Sequence, residues 1–152
     1  MVVVNYEWSS KGNSKAIEDW ATRFLCHLEP KLFNRKAKTV YVDIEINYST
    51  KDRMVGYCHG DCEEITIELN EELLGDEDYF KETLAHELIH AKQLLMGELK
   101  DEKGFKTIWK GEEYINFRGH LKESAYRELP WEAEAYSRQS EHNLIDNERF
   151  FK

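Results

Sequence analysis

The run Tyr79-Phe80-Lys81-Glu82-Thr83-Leu84-Ala85-His86-Glu87-Leu88-Ile89-His90-Ala91-Lys92-Gln93-Leu94-Leu95-Met96 contains the pattern H-E-x-x-H. On a helix, His86 and His90 share one face, with Cβ atoms roughly 5–6 Å apart. Two imidazoles so placed can reach one Zn²⁺ at about 2.0–2.1 Å each. Glu87 follows the first histidine and is placed to act as general base on a metal-activated water rather than to ligate. The flanks argue against two chance surface histidines. Phe80, Leu84, Leu88, Ala91 and Leu95 form an apolar stripe at helical spacing, which anchors the helix in a core. Asp76-Glu77-Asp78 suits the start of a helix, where the dipole favours negative charge. Gly97 suits its end. The pattern predicts a helix over about 79–96.

Working outward, the chain has 152 residues, enough for one domain spanning 1–152. The core is expected within about 14–141, with 143–152 as a tail. A formal net charge of −9 makes nucleic acid an unlikely partner, because an acidic protein repels a phosphate backbone. Lys31, Arg35, Lys36 and Lys38 are only a scattered basic hint. The 12% of aromatic residues is then better explained by core packing than by base stacking. No apolar run approaches the ~20 residues of a membrane span, and Met1-Val2-Val3-Val4 is too short for a signal peptide. Cys26, Cys58 and Cys62 form no disulfide framework. These features point to a cytoplasmic protein of a bacterium or a bacterial virus, with no membrane partner.

The remaining pattern predicts an α+β fold. Residues 1–12 are ambiguous, a short Val run followed by the loop Ser9-Ser10-Lys11-Gly12. Ser14 to Leu28 reads as an amphipathic helix, with Ile17, Trp20, Ala21, Phe24 and Leu28 on one stripe, Asn13 or Ser14 as cap, and Pro30 beyond its end. A small, mostly antiparallel sheet of about three strands follows. Its strands are Val40 to Asn47, Arg53 to Cys58, and Glu64 to Leu69, each with apolar residues on one face. Cys58-His59-Gly60-Asp61-Cys62 reads as a hairpin turn rather than a zinc knuckle, since no second Cys/His pair follows. After the H-E-x-x-H helix, Lys110-Gly111-Glu112 marks a turn between two short strands. Pro130 opens a last helix through Glu141.

A catalytic zinc usually takes three protein ligands. Candidates for the third are Glu132, Glu134, His120 and, less plausibly, His59 or His142. Here the residues resemble a known group. His86-Glu87-Leu88-Ile89-His90, followed by Leu129-Pro130-Trp131-Glu132-Ala133-Glu134-Ala135-Tyr136, looks like the zincin metallopeptidases with a glutamate ligand, the gluzincins. The element order is similar to small SprT-like and phage-type minimal metallopeptidase domains. The last helix resembles the third-ligand helix of CAAX-type and HtpX-type proteases, where Ala stands three after the ligand Glu. The fourth residue there is usually Asp; here it is Tyr136. SprT-like domains usually take a third histidine from a His-Gly-x-x-Phe stretch, whereas Lys103-Gly104-Phe105-Lys106 offers Gly and Phe without the His. The resemblance implies a zincin-like single domain whose C-terminal helix carries the third ligand.

Helix geometry sharpens the choice. Residues two apart point about 200° apart, so Glu132 and Glu134 cannot both face the metal. The face of Glu132 carries Ala135, small enough for close helix approach, and Tyr136. Glu134 already has an i, i+4 partner in Arg138. The expected ligands are therefore His86, His90 and Glu132, with Glu87 catalytic and Tyr136 a candidate donor beside it. Tyr126, Arg127 and His120 are further candidates for that donor. The chemistry expected is zinc-dependent hydrolysis of peptide bonds in a protein or peptide substrate. The alternatives are a catalytically silent, protein-binding zincin module, or a zinc hydrolase of a non-peptide amide.

Overall fold

The computed structural model describes residues 1–6, 13–34, 38–47, 55–102, 106–115, 123–145 and 149–151. In chain order the elements are β1 (Val2–Tyr6), α1 (Ser14–Leu28), β2 (Val40–Asn47), β3 (Gly56–Gly60), β4 (Glu64–Asn70) and α2 (Glu77–Leu95), then β5 (Leu99–Glu102), β6 (Lys106–Trp109), β7 (Glu112–Ile115), α3 (Glu123–Glu128) and α4 (Pro130–Arg138). Short 3₁₀ turns lie at Pro30–Phe33, Glu71–Gly75 and Gln139–Leu144. The fold is α+β, with an N-terminal helix, the H-E-x-x-H helix and C-terminal helices. The loop 9–12, His120 (a candidate both for third ligand and for donor) and Lys103-Gly104-Phe105 lie outside the described residues.

The main sheet corrects one expectation. It has four strands in the order β1-β2-β4-β3, and β1–β2 and β2–β4 are parallel. In this sheet only β3–β4 pairs antiparallel; the second sheet, β5-β6-β7, is antiparallel throughout. The Val run at the start, left ambiguous by its shortness, is strand β1. It pairs in register with β2, Val2 against Val40 and Val4 against Val42. Parallel pairing needs a crossover, and α1 supplies it. Alternation reveals which face of a strand is apolar but not which neighbour it takes or in which direction, so the expectation is a mostly antiparallel sheet of about three strands. In fact β3 is placed outside β4.

One face of the main sheet buries Val4, Val42, Ile44, Ile65, Ile67 and Leu69, and helices α1 and α2 lie against it. In α1 the predicted stripe Ile17, Trp20, Ala21, Phe24 and Leu28 is buried, and Asn13 Oδ1 accepts from the Ala16 N–H at 3.2 Å. The C-terminal stretch also enters the core, contrary to a tail beginning at 143. Phe150 is 1% exposed, its ring edge-on to Trp20 and Phe80, and Glu77 Oε1 accepts from the N–H groups of Phe150 and Phe151 at 2.7 Å each. Two aromatics in a polar stretch carry no periodicity, which is why the pattern missed them.

Helix α2 is the axis of the molecule. Asp76 caps it, accepting from the Tyr79 N–H at 3.1 Å. It ends in a Schellman arrangement: Gly97 N–H bonds Leu94 O, Glu98 N–H bonds Gln93 O, and Gly97 takes φ 71°, which a glycine adopts without a Cβ penalty. Its second half is buried nearly all round, because α1 and the sheet cover one side while β3, β5 and α4 cover others.

Candidate metal centre

The two histidines follow from α2 alone. Its i, i+4 geometry sets the His86 and His90 rings 4.9 Å apart, centroid to centroid. The third group arrives from 42 residues later in the chain than His90. Helix α4 carries Glu132, whose Oε1 is 3.1 Å from His86 Nε2 and whose Oε2 is 2.9 Å from His90 Nε2. One ligand atom from each of the three residues lies within 4.8 Å of the others. Ala135, fully buried, leaves room for α4 to approach α2. Trp131 holds the start of α4 against the second sheet, with ring centroids 5.2 Å from Tyr114 and 6.3 Å from Trp109.

The donor set suits zinc: two imidazole nitrogens and one carboxylate oxygen, converging from a rigid helix and a docked one. The far side of each ring also fits. His86 Nδ1 is 2.9 Å from Gln139 Oε1, and His90 Nδ1 is 2.8 Å from Gln93 Oε1. An amide oxygen only accepts, so each ring carries a proton on Nδ1, and Nε2, which faces Glu132, is the nitrogen that would bind a metal on giving up its own proton. These glutamines were missed by sequence reasoning; the available signal was Gln93 standing one turn after His90.

The charges respond to this convergence. Burial pushes the Glu132 carboxyl up, but hydrogen bonds from His86 and His90 outweigh it and hold the pKa down at about 2. Burial favours a neutral His90, yet the Glu132 carboxylate wins and raises its pKa to about 9. Glu87 is buried at 6% exposure, and this burial, assisted by the charge of Glu132 and opposed by the histidines, raises its pKa above the ordinary carboxylate range. Strand β3 approaches Glu87 closely: a Cβ on Gly56 would stand 3.0 Å from Thr83 Cγ2 and 3.1 Å from Glu87 Cγ.

The other candidates separate clearly. Glu134 faces away from the histidines, bonded to Lys92 Nζ at 3.0 Å and Gln93 Nε2 at 2.8 Å and near Arg138 at 3.6 Å. Its anticipated Arg138 partner is present, but two buried side chains also hold it, so it is a structural anchor more than a solvated surface group. His142 packs on Trp20 and His59 pairs with Glu68, neither joining the cluster. The Tyr136 ring lies edge-on to His86 at 4.6 Å, with the Arg127 guanidinium 4.6 Å over its centre. Burial, then the charge of the Glu132 carboxylate and a hydrogen bond to it, raise the Tyr126 pKa and keep it a phenol. Burial and the nearby carboxylates Glu87 and Glu132 likewise push up the Cys58 thiol. Two openings flank the cluster. One, of about 200 Å³, is lined by β3, Leu99, Trp131 and Glu87; the other, of about 610 Å³, by Tyr79, His86, Tyr126, Arg127 and Tyr136.

The SprT-like family profile matches residues 21–114. The chain belongs to the SprT-like family. Its α+β fold is consistent with the zincin-like arrangement of that family. The matched residues include His86, Glu87 and His90 of this SprT-like chain and end before α3 and α4, so Glu132 and Tyr126 lie beyond them. No curated protein and no solved structure matches the chain. Among the described residues, no helix is long and apolar enough to cross a membrane.

Proposed function

We propose that this SprT-like chain is a zinc-dependent peptidase with a glutamate third ligand, acting on cytoplasmic proteins or peptides. The observation that carries the reading is the convergence of His86 Nε2, His90 Nε2 and the Glu132 carboxylate beside a buried Glu87. Zn²⁺ held there would supply a Lewis acid for the substrate carbonyl and lower the pKa of water toward ~7. Glu87 takes the proton of the attacking water and returns it to the leaving amine. Its raised pKa strengthens it as a base and makes the acid form available for that return. Tyr126, held protonated, is assigned as the donor to the carbonyl oxygen as charge develops there. Tyr136 then serves as a wall for the His86 ring.

Strand β3 gives the substrate a place. It is an edge of the main sheet and runs past Glu87, and among the described residues nothing pairs with its outer side. A peptide adding to that edge binds through main-chain hydrogen bonds, which tolerates many sequences. The test is metal analysis of protein purified without added zinc, beside cleavage of casein or a peptide library. The wild type is expected to hold one zinc and cleave. Glu87→Gln is expected to keep the metal and lose about a hundred- to ten-thousandfold in turnover. Equal cleavage by Glu87→Gln would refute the assignment. Zinc retention with no peptide cleavage by either protein would favour the protein-binding module or a non-peptide amide as substrate.

A further inference from the structure

We propose that Gln93 is a positioning residue that couples the two halves of the metal centre, its carbonyl setting the His90 tautomer while its amide group grips α4. The proposal rests on the metal-centre reading above. Gln93 is fully buried, one turn beyond His90 on α2. Its Nε2 donates to Trp131 O at 3.0 Å and to Glu134 Oε1 at 2.8 Å. Both partners only accept, which fixes the orientation of the amide: the NH₂ end must face α4 and the oxygen must face His90. Oε1 stands 2.8 Å from His90 Nδ1, so that nitrogen keeps a ring proton, and Nε2, 2.9 Å from Glu132 Oε2, is the nitrogen left to give up its proton and bind a metal.

Trp131 and Glu134 flank Glu132 within one turn of α4. A side chain that holds both therefore holds the third donor. Lys92, beside Gln93, adds a charged contact to the same Glu134 at 3.0 Å. Gln139 accepts from His86 Nδ1 but reaches back only to Glu82 on α2, at 2.6 Å. Gln139 is itself the C-cap of α4, so it ties the far end of that helix to α2 while orienting the His86 ring. Gln93 joins the ring proton of His90 to the turn of α4 that carries Glu132.

The experiment is zinc titration of the full chain, wild type against Gln93→Met and Gln93→Glu, with ¹⁵N NMR of the histidines in the zinc-loaded protein. Gln93→Met keeps the shape and removes both polar ends; zinc affinity is expected to fall about 10- to 100-fold. The His90 Nδ1–H resonance should be lost to solvent exchange. Gln93→Glu restores an acceptor for that proton but sets a carboxylate against Glu134 and Trp131 O, so it is expected to recover the resonance and not the affinity. Recovery of wild-type affinity by Gln93→Glu would overturn the grip on α4. A merely structural role would not return the resonance with Glu alone. Gln93→Met with wild-type affinity and an intact resonance overturns the proposal. If Gln93→Met does not fold, the wild type decides: His90 bound to zinc through Nδ1, with the proton on Nε2, overturns it. A wild type that takes up no zinc overturns the metal reading itself, an outcome distinct from zinc binding that ignores Gln93.

Discussion

Helices α2 and α4 build the same centre by different means. Helix α2 has 19 residues, a side-chain cap at one end and a Schellman closure at the other, and its apolar residues enter the core along its whole length. Helix α4 has nine residues and no side-chain cap. A helix that short is marginal by itself in water. What holds it is external: Trp131 against Trp109 and Tyr114, Ala135 against the core, and the amide of Gln93. One half of the site is thus specified by a local segment, and the other half is delivered by docking. The difference predicts that perturbing α4 should disable metal binding while leaving α2 folded.

The largest effect should come from Glu132→Ala. Changes one step removed from a metal already cost about 10- to 100-fold in affinity. Loss of the carboxylate itself is expected to exceed that range, with the helical circular dichroism preserved. Glu134→Ala should cost less, because it removes an anchor of α4 and not a donor. Competitive zinc titration ranks the two, and a greater loss in Glu134→Ala would break the comparison.

Next in size is Trp131→Ala. Truncating a buried Trp costs about 3–5 kcal/mol, and here the cost should fall on docking of α4. Chemical denaturation measures it. Protection of α2 amides from hydrogen exchange should persist, while α4 and the second sheet lose theirs. Equal loss of protection in α2 would show that the halves fold as one unit.

The smallest effect is one of pH, and it reads the contact between the halves directly. Without metal, burial disfavours the charged His90 ring but Glu132 of α4 holds its pKa at about 9. This is above the unfolded value of about 6.5. The stabilisation is therefore fully present below pH 6.5 and is lost as pH rises through about 9. Zinc competes for the same ring nitrogen. Apparent zinc affinity should rise about tenfold per pH unit up to that point if one proton is released. Thermal melts of the metal-free protein and zinc titrations across this window check both slopes. In Glu132→Ala both should weaken, since the charge that raises the pKa is gone.

Local order was what the sequence could show. His86, Glu87 and His90 are legible because four residues on a helix make a face whatever surrounds it, and the stripe on α1 is legible for the same reason. The contrast between Glu132 and Glu134 was also readable as helix geometry, although only the packed structure brings Glu132 to the histidines. Pairing was not readable. The apolar alternation of β2 and β4 does not say that they run parallel side by side, and the start of the chain showed only a Val run. Phe150 in the core, Gln93 between His90 and α4, and Tyr126 on Glu132 all depend on residues far apart in the chain. Their contacts are made by packing energy summed over many side chains, which no single stretch of sequence contains. The sequence by itself determined which helix carries the paired histidines and which glutamate stands beside them. Only the tertiary structure decided which carboxylate completes the set and what holds it there, because docking a short helix is a property of the surfaces that receive it.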